Sequence, residues 1–419
     1  MMVIKVNNTG ILNITNIEKK NKTINYQYEI DGAWEKIAVK DNNLFLEYNV
    51  NIESVPDHIA IIPLITNLLP IAFVFDLTIT VESLDKRFYE SVSKIRNGYQ
   101  KMYNNWKMGG TIKVKNLIET NNDTNGALLL FSGGVDAFNT FYNHIDENPF
   151  LLTLWGADVS LNDTNGWKNV INHTKKTSET FGLDYGYCKT NFKSFINDKF
   201  LSKFITEKIT KHHGDSWYHE FQHGIGIIGH SAPLAYLYNK KYIYIASSYT
   251  GQYKGKYTCA SDPTIDNMLC FGNCSTIHDG YEYTRQQKIA NICSSTEKYN
   301  NSISLRVCWE STGGKNCSAC EKCSRTILGI ITEKKNPNDF GFEFNEHNRK
   351  KIINLLKKFA KYNFVFAYKD IQNRFKENYK YEEVPDDLKW FYNLKIKDKK
   401  PKIISFKDLI INKIKRIFL

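Results

Sequence analysis

At 419 residues with 42% hydrophobic content, the chain can hold two or three domains with real cores, which excludes a disordered or fibrous polypeptide. The net charge of +12 comes from 56 Lys and Arg against 44 Asp and Glu; it admits a nucleic-acid partner, but no arginine-rich stripe or RNA-binding signature accompanies it, and a lysine-rich solvated surface gives the same balance. No charged leader with an apolar core opens the chain, and the longest apolar stretch, 59–75, is broken by Pro63, Asn67 and Pro70, so a cytoplasmic protein without a transmembrane segment is expected.

In chain order, residues 1–15 alternate as a strand does, and 24–30, 44–50 and 77–82 are further strand-like segments. Residues 84–102 carry a helical pattern, and together these suggest an N-terminal α+β accessory domain over 1–115. A polar connection at 116–126 leads into alternating strands and helices. Strands are expected at 127–131, 150–155, 183–189 and 242–247, and helices at 136–144, 167–181, 195–211 and 224–238. Such alternation implies an α/β fold, a parallel sheet with helices on both faces, whose ligands bind beyond the carboxyl ends of the strands. The core is placed at 116–335. A C-terminal helical region, 336–419, follows with helices at 346–360 and 369–380. It ends in a basic tail, with lysines through 395–402 and an amphipathic stretch at 406–419 that suits packing on its own domain, a partner or a membrane surface.

The strand at 127–131 drops straight into Ser132-Gly133-Gly134-Val135-Asp136. Glycines let the backbone turn sharply and approach a ligand closely. The amides of Ser132, Gly133, Gly134 and Val135 would then face an anion at a helix N-terminus, where free N–H groups and the helix dipole favour phosphate. Asp136 is placed to bind an accompanying magnesium, an oxygen-seeking ion that shares ligands with phosphates.

Four cysteines, Cys308, Cys317, Cys320 and Cys323, have spacing that can wrap one tetrahedral zinc; two disulfides are the alternative. Four thiolates close the coordination sphere, so such a zinc is structural, and Arg306, Lys315, Lys322 and Arg325 supply compensating charge. The other five, Cys188, Cys259, Cys270, Cys274 and Cys293, show no ligand pattern and read as buried thiols, with a catalytic thiol for sulfur transfer as the alternative.

The SGGVD string after a strand resembles the PP-loop of the ATP pyrophosphatases, which cleave ATP between the α- and β-phosphates. With the downstream cysteine set, the chain resembles the 7-cyano-7-deazaguanine synthases (QueC) over residues 125–332. The resemblance implies a HUP/Rossmann-like fold and the cofactors ATP, Mg2+ and Zn2+. It implies nucleotide contacts from Ser132, Gly133, Gly134, Val135, Asp136 and Ala137, with Ser132 and Asp136 catalytic, and zinc on the four cysteines. The activity implied is an adenylating ligase: a carboxyl-type group on a deazapurine or a protein terminus is adenylated, pyrophosphate leaves, and a nitrogen nucleophile displaces AMP. Two departures are visible. Ala137 replaces the usual Ser or Thr, and Gly156-Ala157-Asp158 replaces the family's turn after the second strand. With the extra terminal regions they suggest a specialised relative, such as the QueC-like components of anti-phage defence operons, which act with partner proteins. A tRNA-modifying enzyme, a surface-polysaccharide-locus enzyme and an inactive nucleotide-binding scaffold are the alternatives, and a homodimer is plausible.

Further candidates follow the strand ends. Asp158 suits an adenosine or substrate contact or a loop cap, and Ser247, Ser248, Tyr249 and Thr250 follow the 242–247 strand, where the resemblance implies ATP- and substrate-contacting side chains, Ser247 among the nucleotide contacts. His223 and His230, seven apart, would share a helix face as proton carriers or as core histidines. Asp279, Glu282 and Arg285 could orient a polar acceptor, and Ser311-Thr312-Gly313-Gly314 reads as a turn rather than a second phosphate loop.

Overall fold

The computed structural model describes residues 10–37, 43–210, 216–254, 258–308, 310, 313–362 and 365–396. Most of the basic tail and Ser311-Thr312 lie outside the described residues.

Eleven strands form a single sheet. They are β1 (Ile11–Lys20), β2 (Thr23–Ile30), β3 (Phe45–Tyr48), β4 (Thr78–Asp85), β5 (Thr111–Ile118), β6 (Asn125–Leu130), β7 (Phe150–Trp155), β8 (Tyr185–Thr190), β9 (Lys240–Ala246), β10 (Cys270–Phe271) and β11 (Cys274–Asp279). The spatial order is β10-β11-β9-β6-β7-β8-β3-β2-β1-β4-β5. From β11 to β8 the pairing is parallel throughout. The chain runs outward from β6 through β7 to β8, then returns to β9 and β11 on the other side. That reversal leaves a crevice between the carboxyl ends of β6 and β9, where open α/β sheets bind ligands.

Side-chain alternation along the central strands builds two cores. Leu128 and Leu130 of β6 enter one hydrophobic cluster with Leu152 and Ile243, while Ala127 and Leu129 enter the other with Leu151 and Tyr244. The first cluster is covered by α1 (Ile62–Phe75), α2 (Lys86–Met102) and α5 (Asp198–Ile205). The second is covered by α3 (Val135–Asn143), α6 (Arg285–Lys298), α7 (Glu321–Thr332), α8 (Glu346–Tyr362) and α9 (Val365–Asn378). Helix α4 (Thr164–Phe181) covers β7 and β8, with Trp167 stacked on Trp155.

The N-terminal strands continue this same sheet. β3 pairs antiparallel with β8, so β2, β1, β4 and β5 extend it beyond the parallel strands. The stretch 59–75 forms a buried helix rather than a broken segment. Pro63 sits in the first turn of α1, where its missing N–H costs nothing, and Asn67 turns its amide onto the Pro63 carbonyl at 2.8 Å and accepts from Gln222 at 2.8 Å. Among the described residues no helix is long and apolar enough to cross a membrane. The helix expected at 224–238 is two short ones, Ile225–Gly229 and Ala232–Leu237.

Candidate functional site

The glycine loop sits at the carboxyl end of β6 and caps α3. Gly133 has φ +73°, and a Cβ there would lie 2.6 Å from Cε1 of His173, so only glycine fits. Gly134 differs: its φ of −82° suits any residue, and a Cβ would meet only Ser132 Oγ at 3.4 Å and the Arg306 carbonyl at 3.5 Å. The protein itself supplies no steric reason for glycine at 134. The space a Cβ would fill opens onto a cleft of 410 Å³, which Ser132, Gly134, Asp136 and Ala137 line from one side. A phosphate laid against the backbone would need that space.

Helix α6 aims two cations at the first turn of α3. Its N-terminus is fixed by Thr284 and Gln287 in a reciprocal capping box. Arg285 and Lys288, one turn apart, then reach the two oxygens of Asp136 at 2.9 and 3.2 Å. Lys288 is only 2% exposed and also donates to the Ser247 carbonyl. Burial raises the Asp136 carboxyl, but Lys288, Arg285 and Lys322 outweigh it and leave the group below the usual carboxylate range. Both carboxylate oxygens already accept a charged donor, so a magnesium ion would use their remaining lone pairs. Arg285 keeps Nε and Nη2 without a hydrogen-bond partner among the described residues, as an anion-binding guanidinium would.

The cleft continues past the end of β7. Gly156 turns at φ +108°, with the Thr190 carbonyl only 2.0 Å from where a Cβ would be, and Asp158 follows on the cleft wall. Asp158 is 65% exposed and pairs with Arg306 at 3.8 Å, a water-screened contact. Arg306, Lys322 and Arg285 thus share the cleft with two carboxylates. Burial and then Arg285 lower the Lys322 ammonium pKa, a mutual repulsion that a bound polyanion would relieve. Tyr218, His223 and Ser261 complete the lining.

The four predicted zinc ligands come together, each Sγ within 4.8 Å of the others. Cys308 and Cys320 are 3.8 Å apart, close to the edge of a tetrahedron with Zn–S bonds of about 2.3 Å. Cys320 caps α7 and Cys323 lies in its first turn, where the Cys320 and Cys323 N–H groups donate to the Cys317 and Cys320 sulfurs. The residues fit a four-thiolate zinc. The ligand segment also touches the glycine loop: Arg306 donates its backbone N–H to the Gly133 carbonyl at 2.7 Å and its Nε to the Ser132 carbonyl at 2.9 Å.

Other predicted residues are distributed differently. Ser247 is buried, with its hydroxyl on the Tyr249 carbonyl at 2.5 Å, and Ser248 lines the cleft in its place. His223 and His230 do not share a helix face, because Gly224 at φ +83° breaks the chain between them. His230 is a core histidine, held between the Gly226 carbonyl and Thr190 Oγ1, and burial lowers it to about 4. Asp279 pairs with His144 at 3.0 Å, outside the cleft, and Glu282 is exposed. Lys288 and Tyr218 carry no signal of their own in the sequence; the one usable signal is the i, i+3 spacing of Arg285 and Lys288. Compared with known proteins, no family model matches the chain and no curated protein is detectably similar to it.

Proposed function

We propose that this chain is a PP-loop enzyme of the 7-cyano-7-deazaguanine synthase type, which adenylates a carboxyl-type group with ATP and releases pyrophosphate. The observation that carries the reading is the glycine loop at the β6–β9 crevice, with a helix N-terminus, an open Gly134 face and the cations Arg285, Arg306 and Lys322 around one cleft. Backbone N–H groups and these side chains would hold the phosphates, and Asp136 would share Mg2+ with them. Preorganised donors of this kind stabilise charge developing on a transferring phosphorus. The other wall would take the acceptor, a deazapurine carboxylate or a protein terminus, with partner proteins from the same operon assisting. Zinc on the four cysteines would be structural. The engagement of both Asp136 oxygens by cations, together with Ala137, favours a second reading, a scaffold that binds ATP without turnover.

The test is product analysis with Mg·ATP and a panel of 7-carboxy-7-deazaguanine, peptides with free termini and tRNA. AMP and pyrophosphate are expected with a carboxylate acceptor. ADP and phosphate would overturn the reading, and tight ATP binding without turnover across the panel would favour the scaffold.

A further inference from the structure

Next to His223, on the cleft lining, lies a thiol that the nucleotide chemistry leaves unused. Cys259 Sγ is 3.2 Å from Nδ1 of His223, whose ring lines the cleft. The pairing is built by backbone. Ala260 donates its N–H to the His219 carbonyl at 2.9 Å, and at Gly224 a Cβ would lie 2.9 Å from Cα of Ser261 and 3.1 Å from the Ala260 carbonyl. The 258–261 segment is therefore clamped against the turn carrying both histidines. His219 is set in turn by Glu220 at 2.6 Å, and Tyr103 donates to the other Glu220 oxygen at 2.9 Å. Burial pushes the Cys259 thiol up, but His223 and His219 bring it down to about 6. The other buried thiols go the other way, with Cys274 and Cys293 pushed up to about 12. A thiolate paired with imidazolium is the reactive form of cysteine.

We propose that Cys259 is the acyl acceptor of this cleft, a nucleophile paired with His223 that carries the activated acyl group as a thioester before the nitrogen nucleophile takes it. The proposal rests on the adenylation reading for the source of the acyl group. The thiolate attacks the carbonyl carbon of the acyl adenylate, the carbonyl–oxygen bond to phosphate breaks, and AMP leaves with the electron pair while His223 gives up its proton. The amine then attacks the thioester, the carbon–sulfur bond breaks, and His223 receives the amine proton, which restores the thiolate–imidazolium pair. His223 lines the same cleft as the glycine loop, which places the Cys259–His223 pair beside any acyl adenylate bound there.

The test uses acetyl adenylate as the probe on full-length, zinc-loaded protein, with peptide mass mapping before and after neutral hydroxylamine. One hydroxylamine-labile acetyl group on Cys259 is expected, forming at least tenfold faster than on Cys274 or Cys293 and slowed at least tenfold by His223→Gln. Acetylation of Cys259 no faster than of those two thiols, or unaffected by His223→Gln, would overturn the proposal. Zinc content and melting temperature check that the variant folds. Iodoacetamide labelling of the unaltered chain is the second measurement: half-maximal rate near pH 6 at Cys259 supports the pair, and a midpoint above pH 8 overturns it. The probe arrives already adenylated. Transfer to Cys259 without pyrophosphate release from ATP would therefore overturn the adenylation reading alone.

Discussion

Gly133 and Gly134 stand side by side in the chain but for different reasons, and substitution separates them. Gly133→Ala forces a side chain into left-handed backbone and against His173, at a cost of about 1–3 kcal/mol in unfolding free energy. Gly134→Ala meets only ordinary contacts and should leave chemical denaturation within ~1 kcal/mol of the parent, yet it fills the space offered to phosphate. Equal ATP affinity in the Gly134→Ala protein, measured calorimetrically, would remove that assignment. Asp136 gives a second residue-scale test. Its folded pKa is depressed, so its stabilisation is complete above the ordinary carboxylate value and lost as pH falls through the lower folded value, below about pH 4. Asp136→Asn should lose roughly 3 kcal/mol at neutral pH, because it removes the carboxylate partner of the buried Lys288. The variant's stability should also fall less steeply than the parent's below pH 4.

At the scale of elements, the zinc knuckle is tied to the glycine loop through Arg306, so loss of metal should be felt on both sides of that contact. Chelation is expected to raise amide exchange at 303–308 and again at 132–135, while α2, which belongs to the other hydrophobic cluster, keeps its protection. The ligands are not equivalent: Cys323 is buried in the first turn of α7 whereas Cys317 is exposed. Cys323→Ser should lower the melting temperature more than Cys317→Ser, with both losing zinc. These two features were also the most legible in the sequence, since an apolar run, a glycine pair and a cysteine spacing are local signals. The α1 helix was not legible, because Pro63, Asn67 and Pro70 look like interruptions until Gln222 is seen completing the Asn67 amide. Strand β5 was read partly as a connection because only one of its faces is shielded and its pattern is mostly polar. The rest of the cleft lining comes from 158, 218, 223 and 261, a set that only tertiary folding assembles. Cys259 gave no signal beyond being a cysteine.

The whole molecule is organised by one sheet, covered on both faces along its central parallel strands. Removal of residues 1–115 would strip β3 from β8 and uncover the first hydrophobic cluster, which runs from Leu12 to Cys274. Such a fragment is expected to aggregate on expression, since an exposed edge next to apolar surface recruits other chains; a soluble, zinc-loaded, monomeric fragment by light scattering would contradict this. The intact sheet manages its edges otherwise. One end is closed by the two-residue β10, and the other, β5, carries Lys113 and Lys115.

The junction of β3 with β8 also has a consequence in time. Lys189 and Glu47, which bridge those strands, are 142 positions apart. On a ribosome adding about 5–20 residues per second, the edge of β3 stays open for several seconds or more before its partner emerges. Through that interval α1, buried along its whole length in the finished protein, has only part of its packing surface available. Synthesis therefore passes through a long-lived nascent species that presents a sheet edge and an apolar helix together, the form a holding chaperone would bind.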